Sequence, residues 1–189
     1  MISLIYGGNQ KGVGFDIYNK LKEELCNKKL EIFNLQEMVG DIPILSEGYN
    51  SEISEAQFRN TEIIDNSNML IFIYPIYWLN VPMLLKGFID STFWPNKAFS
   101  FNNKQYFKRG LWKDKDAIVI YTIGGSEWFH KFKGHLGYKV IKYPLNLVGI
   151  YNIKRFYIDN LNKSNAQSLS IIHNYEPKRL GMITYSDFC

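Results

Sequence analysis

Residues 69–90 read Met-Leu-Ile-Phe-Ile-Tyr-Pro-Ile-Tyr-Trp-Leu-Asn-Val-Pro-Met-Leu-Leu-Lys-Gly-Phe-Ile-Asp, and this stretch decides the fold. The run from Met69 to Tyr74 is apolar and rich in β-branched and aromatic residues, which is typical of a strand buried on both faces. Pro75 ends the run, and a short aromatic loop leads to Pro82 and a helical pattern. A loop between a buried strand and a helix lies at the carboxyl edge of a sheet, where open α/β folds bind ligands.

Segments of the same kind occur along the whole chain, and helical patterns separate them. The predicted strands are Ile2–Tyr6, Leu30–Leu35, Met69–Tyr74, Ala117–Ile123 and Ile150–Asp159. Three predicted helices have definite bounds: Phe15–Cys26, Gly137–Val148 and Asn165–Leu180, the last followed by a tail at Met182–Cys189. Two more are predicted from their caps. One is capped by Ser51 or Ser54 and runs to Asn66, and the other is capped by Asn80 and ends before Pro95. The residues expected to face the core are Ile53, Ala56, Phe58, Ile63 and Ile64 in the helix that ends at Asn66. In the helix that ends before Pro95 they are Met83, Leu84, Phe88, Ile89 and Phe93.

Strands that alternate with helices predict an α/β fold with a doubly wound, five-stranded parallel sheet in the order 2-1-3-4-5 and helices on both faces. No repeat or low-complexity tract divides the chain, so residues 1–189 are expected to form one domain. In this strand order the loops after the first, third and fourth strands converge on a common ligand site.

Composition and charge favour a soluble protein and exclude several classes. The net charge of +4 is too small to indicate nucleic-acid binding, and Cys26 and Cys189 match no metal-ligand spacing. We find no signal-peptide pattern, and the longest apolar run is too short to span a bilayer, so a cytoplasmic location is expected. Residues 37–65 are acidic and residues 97–142 basic. The basic segment is either a set of solvated loops or a positive field that steers an anionic dinucleotide.

The first loop, Gly8-Asn-Gln-Lys-Gly-Val-Gly14, is a candidate phosphate site. A helix that begins after a glycine-rich loop offers unpaired backbone N–H groups and the positive end of its dipole to an anion. Lys11 adds a positive charge. The loop lacks the Gly-Lys-Ser/Thr of a P-loop and the full Gly-x-Gly-x-x-Gly pattern, so a plain strand-to-helix turn explains it equally well.

Two motifs carry a resemblance to a known family. Residues 74–82, followed by Leu-Lys-Gly-Phe-Ile-Asp at residues 85–90, resemble the pattern Phe-Pro-Leu-Tyr-Trp-x-x-x-Pro-Ala-x-Leu-Lys-Gly-Trp-x-Asp of the NAD(P)H:quinone oxidoreductase family, whose fold is flavodoxin-like. Residues 121–126 (Tyr-Thr-Ile-Gly-Gly-Ser) resemble the Thr-Thr-Gly-Gly loop of the same family. The family includes quinone reductases, drug-activity modulators and ancillary subunits of glutathione-gated potassium efflux systems.

The resemblance implies a flavin held by three loops. Its ring is expected to contact the aromatic loop, and donors of the Gly-Gly loop to face its pyrimidine end, where negative charge develops on reduction. The implied cofactor-binding residues are Asn9, Lys11, Val13, Gly14, Phe15, Pro75, Ile76, Tyr77, Trp78, Leu79, Thr122, Gly124 and Gly125. A buried core role is the alternative for Trp78.

The chain departs from the family pattern in two places. The family's first loop reads His-Pro-x-x-x-Ser-Phe-Asn, whereas this chain has Asn9 near the histidine, Gly14 for the serine and Asp16 for the asparagine. After the Gly-Gly loop, quinone reductases place a Tyr and a His that relay a proton. This chain has His130 and His135 in that region, and either one serves as the catalytic proton donor or is a structural residue.

We therefore expect a flavin-dependent NAD(P)H oxidoreductase that passes hydride through a bound flavin to a quinone or similar acceptor in a ping-pong cycle. FMN is expected, with FAD as the alternative and no metal, and the family suggests a homodimer. Gly87 in the third helix is costly unless something packs closely there, which a dimer interface would explain. The alternatives are an ancillary flavoprotein subunit of a membrane transporter, with the basic segment as its docking surface, or a flavodoxin-like electron carrier.

Overall fold

A computed structural model describes residues 1–101 and 109–161. The strands are β1 (Ile2–Tyr6), β2 (Leu30–Asn34), β3 (Met69–Pro75), β4 (Asp116–Thr122) and β5 (Ile153–Ile158). They form one sheet in the order β2-β1-β3-β4-β5, and every neighbouring pair is parallel. The predicted order and direction of the strands are confirmed.

The helices that the structure describes are α1 (Val13–Glu24), α2 (Glu55–Asp65), α3 (Met83–Thr92), α4 (Glu127–Phe132) and α5 (Leu136–Val148). Short 3₁₀ turns lie at Val39–Asp41 and Gly48–Asn50. Helix α4 was not predicted, because its six residues are too few to show a periodic pattern. The predicted start of α1 is two residues late, and the predicted β5 is too long. The predicted helix Asn165–Leu180 and the tail lie outside the described residues.

Helices cover both faces of the sheet, as predicted. On one face α1 packs through Ile17 and Leu21 against apolar residues of β1, β3 and β4. On the other, α3 and α5 contribute Leu85, Phe88, Ile141 and Leu145 to a larger core that includes Phe72 and Val119. Alternate residues of each central strand therefore belong to different cores, which is why the strands are apolar along their whole length.

The predicted inner face of α2 is confirmed for Ile64 and Ile63, which contribute to the core, and wrong for Ile53 and Phe58. Phe58 and Ile53 are exposed, whereas Gln57, Asn60 and Thr61 are buried together with Ile64. The Gln57 side chain donates a hydrogen bond of 3.0 Å to the backbone carbonyl of Ser91, so a polar contact joins α2 to α3. Apolar periodicity does not report a contact of this kind.

Two expectations for α3 are also corrected. Pro82, not Asn80, precedes the helix, and the Asn80 carboxamide oxygen accepts a hydrogen bond from the N–H of Val81. Met83 is exposed, and Leu85 is buried in its place. A Cβ atom on Gly87 would lie 2.8 Å from Cγ2 of Ile42, so this glycine makes room for a segment of its own chain. Gly87 therefore gives no separate argument for a dimer interface.

None of the helices in the described part of the chain is both long enough and apolar enough to cross a membrane.

Candidate functional site

Three loops meet where β1, β3 and β4 end: the first loop (residues 7–12), the aromatic loop (residues 76–82) and the Gly-Gly loop (residues 123–126). The Asn9 side-chain amide donates to the Tyr77 hydroxyl at 2.8 Å, which ties the first loop to the aromatic loop. The Ile76 N–H donates to the Thr122 carbonyl at 2.9 Å, which ties the aromatic loop to the end of β4. The predicted site residues of all three loops therefore come together at one edge of the sheet.

The first loop leads into the amino-terminal end of α1. Gly12 has a φ of 91°, which favours glycine, and its carbonyl accepts hydrogen bonds from the N–H groups of Phe15 and Asp16. The N–H groups of Val13 and Gly14 precede these bonds, at the very start of the helix, where backbone donors and the helix dipole favour an anion. Val13 is buried in the core, so it offers a ligand its backbone rather than its side chain. Lys11 and Asp16 are exposed, and their opposite charges both lie near this helix end.

Tyr6, which was not among the predicted site residues, shapes the first loop. Its hydroxyl donates to the carbonyl of Asn9, and its ring stacks on Tyr18 with the ring centres 4.7 Å apart. Burial raises the pKa of Tyr6 well above its usual value, so the hydroxyl stays protonated and keeps donating. A Cβ atom on Gly8 would lie 2.6 Å from this hydroxyl oxygen. A tyrosine at the end of β1, two residues before a glycine, is the sequence signal for this contact.

A tight turn presents Trp78 to solvent in the aromatic loop. Tyr77 and Asn80 exchange two backbone hydrogen bonds, of 3.0 and 2.9 Å. Between them Trp78 and Leu79 have φ values of 51° and 61°, which is the pattern of a type I′ turn. Such turns favour Asn and Gly, and a bulky residue there is strained. The Trp78 side chain is 100% exposed, so it is not a core residue of this chain.

The Gly-Gly loop is held by β5 and the residues that follow it. The Ile123 N–H donates to the Ile158 carbonyl at 2.8 Å, and the Asn160 N–H donates to the Gly125 carbonyl at 2.8 Å. Within residues 1–101 and 109–161, a Cβ atom on Gly125 would have no atom within 4 Å, so this part of the chain leaves the space over the residue open. Ser126 caps α4 by accepting a hydrogen bond of 3.3 Å from the N–H of Trp128.

The two candidate catalytic histidines have different surroundings. His130 lies in α4 and is buried, with 7% of its surface exposed, and its Nδ1 has no hydrogen-bond partner among the described residues. His135 lies in the turn before α5, where its Nδ1 is 3.2 Å from Oε1 of Glu127 without the alignment of a hydrogen bond. Burial lowers the pKa of both imidazoles, and the Glu127 carboxylate opposes this in both. Both imidazoles therefore hold a proton less readily than a free histidine side chain.

The edge fits a flavin in three respects. The start of α1 offers backbone donors to a phosphate, the space over Gly125 is open to a planar group, and Trp78 is free of core contacts. The exposed Asp16 carboxylate in the first turn of α1 is the unfavourable feature, because it repels a phosphate.

Residues 3–176 match the model of a protein family that is described as having a flavodoxin-like fold. Over 83 residues the chain is 30% identical to NAD(P)H dehydrogenase [quinone] 1 of Cavia porcellus, a match that covers 43% of this chain and 30% of that protein. Over 96 residues it is 30% identical to ribosyldihydronicotinamide dehydrogenase [quinone] of Rattus norvegicus, covering 50% and 39%.

A third relative is the glutathione-regulated potassium-efflux system ancillary protein KefF of Enterobacter sp. (strain 638), which is 27% identical over 122 residues, or 65% of this chain and 60% of that one. Across these three relatives the matched region spans 30% to 60% of their own lengths.

Two solved structures have a similar fold. An FMN-dependent NADH-azoreductase from Bacillus anthracis, in complex with FMN, superposes with a TM-score of 0.73 at 16% identity and covers 92% of each chain. An NAD(P)H:quinone oxidoreductase from Methanothermobacter marburgensis superposes with a TM-score of 0.72 at 19% identity, over 90% of this chain and 91% of that one. At these identities the likeness shows the fold.

Proposed function

The chain belongs to the family with a flavodoxin-like fold, and on this premise we propose that it is an FMN-dependent NAD(P)H oxidoreductase that reduces a quinone or a similar planar acceptor. The observation that carries the proposal is the hydrogen bond between Asn9 and Tyr77. It joins the candidate phosphate loop to the candidate ring loop at the β1/β3 switch point of the sheet. The names of two relatives, which describe quinone-reducing dehydrogenases, support the same activity.

We assign the phosphate of the flavin to the start of α1. Its ligands there are the backbone N–H groups of Val13 and Gly14, with Asn9, Lys11 and Phe15 beside them. Because Gly14 has no hydroxyl, backbone donors and Lys11 replace the family's serine. We expect them to outweigh the repulsion from Asp16, since both N–H groups and the helix dipole act on the phosphate together.

We assign the ring to the space bounded by the aromatic loop and the Gly-Gly loop. Pro75, Ile76, Tyr77, Trp78 and Leu79 contact the ring, and Thr122, Gly124 and Gly125 offer donors to its pyrimidine end. When bound, the flavin supplies the two-electron hydride chemistry. The chain would hold and orient it, and a nicotinamide and an acceptor that bind at this site in turn would give ping-pong kinetics. A histidine of the segment after the Gly-Gly loop provides the proton that the acceptor needs.

FMN is assigned rather than FAD because the assigned loops account for a phosphate and a ring. The similar fold of an azoreductase that is FMN-dependent and was solved with FMN bound supports this choice. Both NADH and NADPH are proposed co-substrates, and the following experiment compares them side by side.

The test is purification of the full chain with and without added FMN. We expect a flavin absorption spectrum, release of FMN on denaturation as identified by mass, and oxidation of NADH or NADPH when menadione is supplied. An azo dye is the second acceptor to compare. A colourless protein that binds neither FMN nor FAD after reconstitution would overturn the proposal. Steady NAD(P)H oxidation would exclude the electron-carrier alternative.

A second candidate function is that of an ancillary subunit of a membrane transporter, which the similarity to KefF favours. The positive charge of segment 97–142 makes it a candidate docking surface for such a transporter, but two of its lysines are already engaged within the chain. Lys97 is paired with Glu62 at 2.5 Å, and Lys115 is buried. Co-purification with a transporter, together with slow turnover of every acceptor, would favour this function over the first.

A further inference from the structure

Glu127 and His135 form a close acid–imidazole pair beside the Gly-Gly loop. Glu127 is the first residue of α4, and His135 immediately precedes α5. Oε1 of Glu127 lies 3.2 Å from Nδ1 of His135, and their side chains are only 14% and 22% exposed. At this separation and burial, water screens the interaction between carboxylate and imidazolium less than it screens a surface pair.

Separate contacts hold each member of the pair. The N–H of Glu127 donates to Oδ2 of Asp159 at 3.0 Å, which anchors the start of α4 to the segment after β5. His135 has a φ of 54°, and its N–H donates to the carbonyl of His130 at 2.6 Å. A non-glycine residue in the left-handed region is strained, and such strain persists where surrounding contacts over-determine the conformation. The pair is therefore preorganised.

The pair lies close to the proposed ring loop. Gly137, two residues after His135, packs so tightly on Ile76 that a Cβ atom there would lie 2.5 Å from Cδ1 of Ile76. The Tyr74 hydroxyl, at the end of β3, donates to the carbonyl of Gly137 at 3.0 Å. The turn that carries His135 is thus fixed to the strand and loop to which we assign the flavin.

Among the described groups that act on His135, Glu127 alone favours the imidazolium. Burial is the largest effect and lowers the pKa, and the charges of Arg155, Lys139 and His130 lower it further. Arg155 is held over the ring of Tyr138 at 5.2 Å. Glu127 offsets these effects in part, so removal of its charge leaves every remaining neighbour opposed to protonation.

We propose that Glu127 is a positioning residue that orients His135, and that His135 rather than His130 delivers the proton to the acceptor. This inference rests on the proposed function. A quinone that gains a hydride still needs one proton to become a hydroquinone. The His135 imidazolium gives up that proton to the quinone oxygen and becomes neutral, and then regains a proton from water. His130 is too buried to exchange protons readily with solvent.

The test compares Glu127→Gln, Glu127→Asp, His135→Gln and His130→Gln in the full chain loaded with FMN. The first measurement is the NMR titration of the His135 ring protons, which needs no turnover. We expect Glu127→Gln to lower the pKa of His135 and Glu127→Asp to recover most of the wild-type value. An unchanged or raised pKa in Glu127→Gln would overturn the inference.

The second measurement is the pH profile of kcat with menadione. His135→Gln is expected to lower kcat by about 100-fold, the lower end of the usual acid–base contribution. Glu127→Gln is expected to lower kcat by about tenfold at pH 7.5 and to leave the KM for the nicotinamide unchanged. The falling limb of its pH profile is expected to move to lower pH. A larger loss in His130→Gln than in His135→Gln would overturn the assignment. An inactive wild type would instead overturn the proposed function, and the titration would still decide whether the pair is coupled.

Discussion

At the scale of single residues, Trp78 is strained and fully exposed, and nothing in the chain's own core requires it there. A left-handed backbone costs about 1–2 kcal/mol in a residue with a side chain. A large indole in solvent adds no burial that offsets this cost. The strain is explained if the ring of Trp78 contacts a ligand, which is the role we propose for it.

Two substitutions at Trp78 separate the ring from the backbone. Trp78→Gly is expected to raise the free energy of unfolding of the flavin-free protein by about 1 kcal/mol, because glycine adopts positive φ without strain. Trp78→Ala keeps most of the backbone strain, so the free energy of unfolding is expected to change by less than about 0.5 kcal/mol. Both lose the stacking ring, so both should bind FMN about 3- to 10-fold more weakly. Urea unfolding and FMN titration measure the two effects. Unchanged FMN affinity in both variants would remove Trp78 from the site.

At the scale of elements, the close approach of α5 to the aromatic loop links the core to the site. Gly137 permits this approach, because any side chain there would meet the buried Ile76. A Cβ atom on Gly125, in the Gly-Gly loop, would instead meet no atom of the described residues within 4 Å. The two glycines therefore have different functions, one in packing and one in access for a ligand.

Gly137→Ala and Gly125→Ala make a matched pair. Gly137→Ala is expected to destabilise the flavin-free protein by about 1–3 kcal/mol, because overpacking exceeds the gain in helix propensity. Gly125→Ala should leave its stability within about 0.5 kcal/mol of wild type but weaken FMN binding, since the new methyl group occupies the proposed cofactor space. Thermal unfolding and FMN titration read out the two effects. Normal FMN affinity in Gly125→Ala would contradict the assigned ring position.

The opposite edge of the sheet is fixed by a buried lysine. Lys115 precedes β4 and is only 5% exposed, and its Nζ donates to the backbone carbonyls of Asp65 and Ser67 at 2.5 and 2.8 Å. Desolvation lowers its pKa, which is the physical cost of this position. The lysine joins the end of α2 to the start of β4.

Lys115→Met is expected to destabilise the protein by about 1–3 kcal/mol, because two carbonyls lose their donor. Lys97→Met is the matched control. Lys97 is more exposed and pairs with Glu62 at the surface, so its loss should have little effect. Urea unfolding of both variants tests this. Equal midpoints for Lys115→Met and wild type would show that the lysine does not anchor α2 to β4.

At the scale of the whole molecule, His130 and His135 contribute to the response to acid. Burial lowers the pKa of His130 and of His135 in the folded state, so the unfolded chain binds more protons once the pH falls below the ordinary histidine value of 6.5. The neutral histidines make their full contribution to the free energy of unfolding above pH 6.5. This contribution is lost as the pH falls towards the lower pKa values that the two imidazoles have in the folded state. The free energy of unfolding should therefore fall as the pH is lowered below about 6.5. The drop should be smaller in His130→Gln, as urea unfolding at several pH values will show. An equal drop would mean that His130 is not part of the cause.

The homodimer that the family resemblance implies stays a prediction. Gly87 is explained by Ile42 and no longer argues for it. Light scattering of the purified chain measures the oligomeric state directly.

The sequence by itself determined the sheet and the place of the site. The apolar runs of β1, β3 and β4 and the glycine-rich or proline-containing loops after them are local patterns, so strand order and converging loops follow from general rules. Only the tertiary structure decided the polar inner face of α2, the partner of Gly87, the strained turn at Trp78 and the Glu127–His135 pair. The hydrogen bond between Gln57 and Ser91 and that between Glu127 and Asp159 join residues 34 and 32 positions apart. Such contacts depend on how separate segments pack in space, and no periodicity within a single segment records them.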